Sequence, residues 1–317
     1  MEKSDSTSFA PIALFTYSRA DHTRAAVESL LQNKETTESD LYIFSDGPKT
    51  EEKREAVEEN RRYIHSITGF KSIHIVEREK NWGLANSLIA GITDVVNRYG
   101  RVIVVEDDLI LSPYFLQYMN EALEKYKDED KVGAITGYCP INNEILPETY
   151  LLRYFHCWGW GTWKRGWDLL NLDTRYLLRK LRWKTNKFDV GGGVGNYGIL
   201  YCQKVGLVDS WYIRFYASLF LAERLTLFPG RSLVSNHGLD GSGTHCREPI
   251  GVGHDGLNVT TESSSIKFHN IEIKENKNVY TFFKRFYLDK MSKENWLMVL
   301  YKRFKSFISR LLYIDCL

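Results

Sequence analysis

Residues 101–108 read Arg-Val-Ile-Val-Val-Glu-Asp-Asp: four apolar, mostly β-branched residues that run into three consecutive carboxylates. An apolar run of this kind is a fully buried strand, and carboxylates packed this closely repel one another unless something positive lies between them. A hard divalent cation answers that need, and Mg²⁺ or Mn²⁺ typically shares its shell with substrate phosphates. Helix capping is the plainer account, since Ser112-Pro113 opens the next helix. Capping explains one acid and leaves the others without a reason.

Other residues could complete such a site. Asp209, in Val-Asp-Ser-Trp-Tyr-Ile-Arg, is either a helix cap or a general base for an attacking hydroxyl, and Asp168 is its rival. Trp158, Trp160, Trp163 and Trp167 either fill a core or form the wall of a sugar site. The glycines between them, Gly159 among these, would leave ring faces open to a flat ligand. His245, in a Gly-Ser-Gly-Thr-His-Cys loop, is either structural or swings onto a metal held by Asp108, with His237 the weaker candidate. The string Gly193-Val-Gly195-Asn-Tyr-Gly198 matches a dinucleotide fingerprint but comes too late in the chain, so it reads as a loop beside the site.

These residues need a frame. Strands are expected at Pro11–Tyr17, Leu41–Ser45, Ser72–Glu77, Arg101–Glu106 and Val132–Thr136. Helices are expected at Thr23–Gln32, Glu51–Ile67, Gly83–Arg98 and Tyr114–Tyr126. Such alternation implies an α/β fold with a mainly parallel, Rossmann-like sheet flanked by helices, and an irregular second half. Ligands then sit at the carboxyl ends of the strands, where Thr16, Tyr17, Arg19, Asp46 and Glu106–Asp108 fall. Net charge is +2 over 317 residues, which gives no support to nucleic-acid binding. Five scattered cysteines without a CxxC pair read as reduced thiols of a cytosolic protein. A polar N-terminus and the lack of a long apolar run point to a soluble or peripheral protein.

Taken together, the residues resemble the metal-dependent glycosyltransferases of the GT-A fold. The likeness is to bacterial family-2-type sugar transferases and to the N-acetylglucosaminyltransferase I family. It spans about residues 10–246 and is strongest at Thr16–Arg19, Glu106–Phe115 and Trp158–Trp163. The resemblance implies that Asp108 binds the metal and that Asp46 recognises a uracil ring. It also implies that Asn81, Gly83 and Asn86 help hold the nucleotide sugar and that Asp209 is the base. Here the chain departs from the family, whose second acid is Ser210 in this sequence. The implied reaction is inverting transfer from a UDP-sugar to a glycan or lipid-linked acceptor, in bacterial surface polysaccharide synthesis. The implied layout is a transferase domain at 8–246, with a nucleotide-sugar half to about 140 and an acceptor half beyond it. A loop-rich extension at 247–280 and a basic helical segment at 281–317 follow.

From Trp296 to Ile314, Leu300, Phe304, Phe307, Ile308 and Leu311 recur at helical spacing among Lys302, Arg303, Lys305 and Arg310. That pattern fits a helix on an anionic membrane surface, and equally a helix packed on its own domain or a partner. A nucleotidyltransferase would share the acidic strand end, but Phe15–Asp21 lacks the glycines of a triphosphate loop. A non-catalytic carbohydrate-binding protein would explain the aromatics but not the acids.

Overall fold

The computed structural model describes residues 9–141, 146–238 and 264–293. The first part alternates as expected: β1 (Ile12–Thr16), α1 (Ala20–Leu31), β2 (Asp40–Ser45), α2 (Arg54–His65), β3 (Ser72–Glu77), α3 (Leu84–Tyr99) and β4 (Arg101–Glu106). All five residues of β1 are buried, as a strand covered on both faces must be. Then come β5 (Leu109–Leu111), α4 (Phe115–Lys125), β6 (Val132–Thr136), β7 (Thr149–Leu152) and β8 (Trp160–Trp163). The helices α5 (Lys164–Trp167), α6 (Thr174–Leu181), α7 (Thr185–Phe188), α8 (Asn196–Lys204) and α9 (Trp211–Leu221) follow, then β9 (Leu225–Pro229), β10 (Val234–Asn236) and α10 (Lys277–Lys293).

Among the described residues, one eight-stranded sheet has the order β3-β2-β1-β4-β8-β6-β9-β7. β3, β2, β1 and β4 are parallel neighbours, whereas β8 runs antiparallel between β4 and β6. One face buries Leu88 and Ile92 of α3 with Phe215 of α9 and Phe283 of α10. The other buries Val27 and Leu30 of α1 with Leu116 and Met119 of α4. α3 enters through Gly83 and stops at Gly100; both have positive φ (77° and 74°), which costs glycine nothing.

The aromatic stretch corrects one expectation. Trp160, Trp163 and Trp167 are core residues, at 0%, 5% and 4% exposure. Trp160 stacks on Trp211 with ring centroids 5.2 Å apart and meets Phe155 edge-on. Trp160 is therefore no site wall, and Gly159 does not open a ring face. A Cβ on Gly159 would come within 2.8 Å of Val234 and 2.9 Å of Phe115. These glycines let β8 lie against its neighbours. Just after β8, Gly166 of α5 is tighter still: a Cβ there would meet the Gly133 carbonyl oxygen at 2.3 Å and the Thr162 hydroxyl at 2.5 Å. Gly166→Ala should cost about 1–3 kcal/mol through overpacking, read as a lower thermal midpoint.

The glycine-rich 189–198 segment is likewise a packing device and not a loop beside the site. A Cβ on Gly193 would lie 2.7 Å from Tyr287 Cβ, so the segment is a close seat for α10. Phe283 and Tyr287 of α10 are buried against this core. Among the described residues, no helix is long and apolar enough to cross a membrane, and Cys139, Cys157 and Cys202 are free.

Candidate active site

The carboxyl ends of β1, β2 and β4 form one rim, and Asp107 extends that register by donating its N–H to the Phe15 carbonyl at 3.1 Å. Arg19, just before α1, points its guanidinium at both acids of the next strand end. Nη2 donates to Asp107 Oδ1 and, at 3.0 Å, to Asp108 Oδ2. Burial opposes the charge on Arg19, yet the two carboxylates raise its pKa. Burial also pushes the Asp107 carboxyl up to about 6 against the pull of Arg19. Glu106 rises to about 8, through burial first and then the charges of Asp108 and Asp107.

β10 pairs antiparallel with β5. That pairing brings His237 to the rim, where its N–H donates to the Asp108 carbonyl at 2.8 Å. Gly238 comes so near that a Cβ would stand 2.3 Å from Asp108 Oδ2. His245 lies outside the described residues.

The chemistry of these donors suits a hard cation. Among the described residues, no group of three His, Cys, Asp or Glu closes on one point. Asp107 and Asp108 instead offer a carboxylate pair that already draws one positive group between them. Mg²⁺ commonly binds through one or two carboxylates, with phosphates and water completing its shell. At neutral pH, cation entry must expel the proton that Glu106 retains, and below about pH 6 that of Asp107 as well. Both pKa values are raised by folding. Their stabilising contribution is therefore present at low pH and lost as pH climbs through about 6 to 8. The rise in thermal midpoint on adding Mn²⁺ should accordingly be small near pH 5 and grow through that window. A Mn²⁺ effect independent of pH would contradict this arrangement.

Several expected nucleotide contacts turn their polar atoms inward. The Thr16 hydroxyl is shared with Thr23 and accepts from Asn60 Nδ2 at 2.9 Å. Asp46, 6% exposed, accepts the backbone N–H groups of Gly47, Trp82 and Gly83 at 2.9–3.2 Å. Asn81 donates to the Gly47 carbonyl at 2.8 Å and Asn86 to the Trp82 carbonyl at 3.0 Å. These residues shape the turn that leads into α3, while the Tyr17 hydroxyl receives the Lys49 N–H at 2.9 Å. Trp158 is half-buried, edge-on to Tyr138 and His156 at 4.5 and 4.9 Å.

The two candidate bases separate cleanly. Asp168 follows β8, whose last residue Trp163 is paired with Arg101 at the amino end of β4. It therefore sits at the far end of the sheet from the acid run, ion-paired to Lys164 at 2.7 Å. Asp209 precedes α9, which ends where β9 begins beside Lys131 and β6. α9 thus descends the sheet, and its N-terminus stands at the same rim as Asp107 and Asp108. Ser210 caps it by accepting the Ile213 N–H.

Asp209 Oδ1 receives Arg214 Nη2 at 2.8 Å. Arg214 lines a groove of about 430 Å³ with Trp82, Asn86, Ile89, Ala90 and Leu172. Arg214 was not foreseen, although a capped helix places it one turn beyond Ser210. His156 was passed over as well. Burial pulls its pKa down to about 3, so the imidazole is neutral, and among the described residues its Nδ1 has no hydrogen-bond partner. Burial, with the charges of Glu106 and Asp108 added, pushes the thiol of its neighbour Cys157 up.

The sequence model described as glycosyl transferase family 2 matches residues 12–193. No curated protein matches the chain. Among solved structures, the mannosyltransferase PcManGT from Pyrobaculum calidifontis, in complex with GDP-Man and Mn²⁺, is similar at 14% identity and a TM-score of 0.35. That likeness covers 51% of this chain and 45% of that one. Residues 1–349 of S. aureus TarS are similar at 13% identity and a TM-score of 0.36, over 51% of this chain and 48% of that one. The chain spans about half the length of these structures.

Proposed function

Given that the chain belongs to glycosyl transferase family 2, we propose that this glycosyltransferase moves a sugar from a UDP-sugar to a hydroxyl of a glycan or lipid-linked acceptor. The transfer inverts the anomeric centre and depends on Mn²⁺ or Mg²⁺. The observation that carries this reading is the shared rim: a carboxylate pair at the end of β4 and a separate carboxylate, Asp209, at the head of α9.

In this reading Asp107 and Asp108 would hold the cation, and Arg19, which now bridges them, would be available to the donor phosphates. A bound divalent ion neutralises the charge of the departing diphosphate. Asp209 takes the proton of the attacking hydroxyl, and Arg214 keeps that carboxylate oriented. The turn built by Asp46, Asn81 and Gly83 bounds the nucleotide side, with Tyr17 beside it. Trp158 faces the sugar, and the groove of Trp82, Leu172 and Arg214 receives the acceptor. We place residues 12–140 in the donor half and 146–238 in the acceptor half. The working location is the cytoplasm, at an anionic membrane surface through residues 296–314, in surface polysaccharide synthesis; those residues lie outside the described ones.

Incubation with a panel of UDP- and GDP-sugars tests the reading. One donor should release its nucleoside diphosphate slowly, and only with Mn²⁺ or Mg²⁺. Pyrophosphate exchange from a nucleoside triphosphate and a sugar phosphate would identify a nucleotidyltransferase instead. Sugar binding without any release would identify a carbohydrate-binding protein.

A further inference from the structure

We propose that the outer face of α6 and the turn after it dock on an anionic lipid bilayer. Between Thr174 and Phe188 the chain carries Arg175, Arg179, Lys180, Arg182, Lys184 and Lys187, and no acid. The whole chain nets only +2, so positive charge is concentrated here. Leu177, Leu178, Leu181 and Phe188 are buried in the core, which fixes the helix and forces the other face outward.

That outer face is not purely polar. Trp183 is 80% exposed and Tyr176 37% exposed. Arg179 and Lys180 lie 5.9 and 5.7 Å from the Tyr176 ring, and Arg182 lies 5.1 Å from the Trp183 ring. Cations and amphipathic rings therefore share one face. An exposed tryptophan gains little from water, and a polyanion in solution would call for the cations alone. Tryptophan and tyrosine among lysine and arginine is the composition that settles at a membrane–water interface. Lys187 is engaged by Glu275 at 2.7 Å and adds little.

The position gives the contact a use. Two residues before α6, Leu172 is half-exposed and lines the groove that also holds Arg214, the partner of Asp209. Docking through α6 would hold that groove at the lipid surface, where a lipid-linked acceptor presents its sugar. This last link rests on the proposed transfer reaction; the docking does not.

Flotation of the full chain with vesicles of phosphatidylcholine, with and without phosphatidylglycerol, tests the proposal. Binding should require phosphatidylglycerol and weaken with salt. R179A/K180A should lose about fivefold in affinity for each cation removed. W183A should lose the quenching of tryptophan emission by brominated lipid. These side chains are exposed, so both variants should keep the parent thermal midpoint and the parent rate of nucleotide release with a soluble acceptor. Unchanged flotation in both variants would overturn the proposal and move any attachment elsewhere. So would dextran sulfate binding that depends on these residues when vesicles are not bound. Loss of nucleotide release in the parent chain would overturn the transfer reading and leave the docking result standing.

Discussion

Replacing Asp108 with alanine is expected to abolish the proposed Mn²⁺-dependent binding of UDP and to leave the chain folded. The side chain is 20% exposed and Arg19 is its partner at 3.0 Å, so its removal opens no core cavity. What disappears is half of the carboxylate pair. With Asp107 alone beside Arg19, that guanidinium would be matched by a single charge, leaving no carboxylate pair to hold the proposed divalent ion. Calorimetry with Mn²⁺ and UDP should show affinity falling below detection in Asp108→Ala, with the far-ultraviolet spectrum and thermal midpoint close to those of the parent. Unchanged Mn²⁺–UDP affinity would remove the metal from the proposed reaction.

Asp209→Asn tests the other side of the rim. The amide still packs beside Arg214 and Ser210, so UDP-sugar binding should persist. Turnover should fall by about 10²–10⁴-fold, the usual contribution of a positioned base. Asp168→Asn is the matched control. Its carboxylate pairs with Lys164 beyond the amino end of β4, and its loss should leave turnover near that of the parent. The opposite pattern would move the base to Asp168, and a product of retained anomeric configuration would refute the displacement itself.

The parallel half was legible because β1, β2 and β4 are largely continuous apolar runs, β3 alternates, and the helices carry a 3.6-residue period. Both signals are local. The antiparallel β8 was hidden for the opposite reason. Its Trp-Gly-Thr-Trp is short, and glycine beside tryptophan looks like an open binding surface until Met119 of α4 and the Val102 carbonyl of β4 are seen to occupy the space over Gly161. Among site residues, Asp107 and Asp108 stood out because clustered like charge has few structural uses. Asp46 shows the converse. A carboxylate at a strand end suggests a ligand, yet its oxygens here are taken by the N–H groups of its neighbour Gly47 and of Trp82 and Gly83, the last two brought from a distant turn that no local pattern announces. Arg214 could have been found from the helix start, since Ser210 as cap places it one turn on and within reach of Asp209, whereas His156 acquires its meaning from tertiary neighbours.

The insertion of β8 between β4 and β6 also fixes an order of events during synthesis. β3, β2, β1 and β4 can pair as soon as Glu106 has left the ribosome, since each crossover lies between them in sequence. β4 then presents an unpaired edge until Trp163 arrives, roughly sixty residues later, or about 3–12 s at ordinary elongation rates. β6 emerges within that interval, but its native place is one strand further out. A nascent chain stalled in this interval exposes an apolar strand edge of the kind that templates aggregation. Truncations ending between β6 and β8 are therefore expected to be less soluble than those ending after α5.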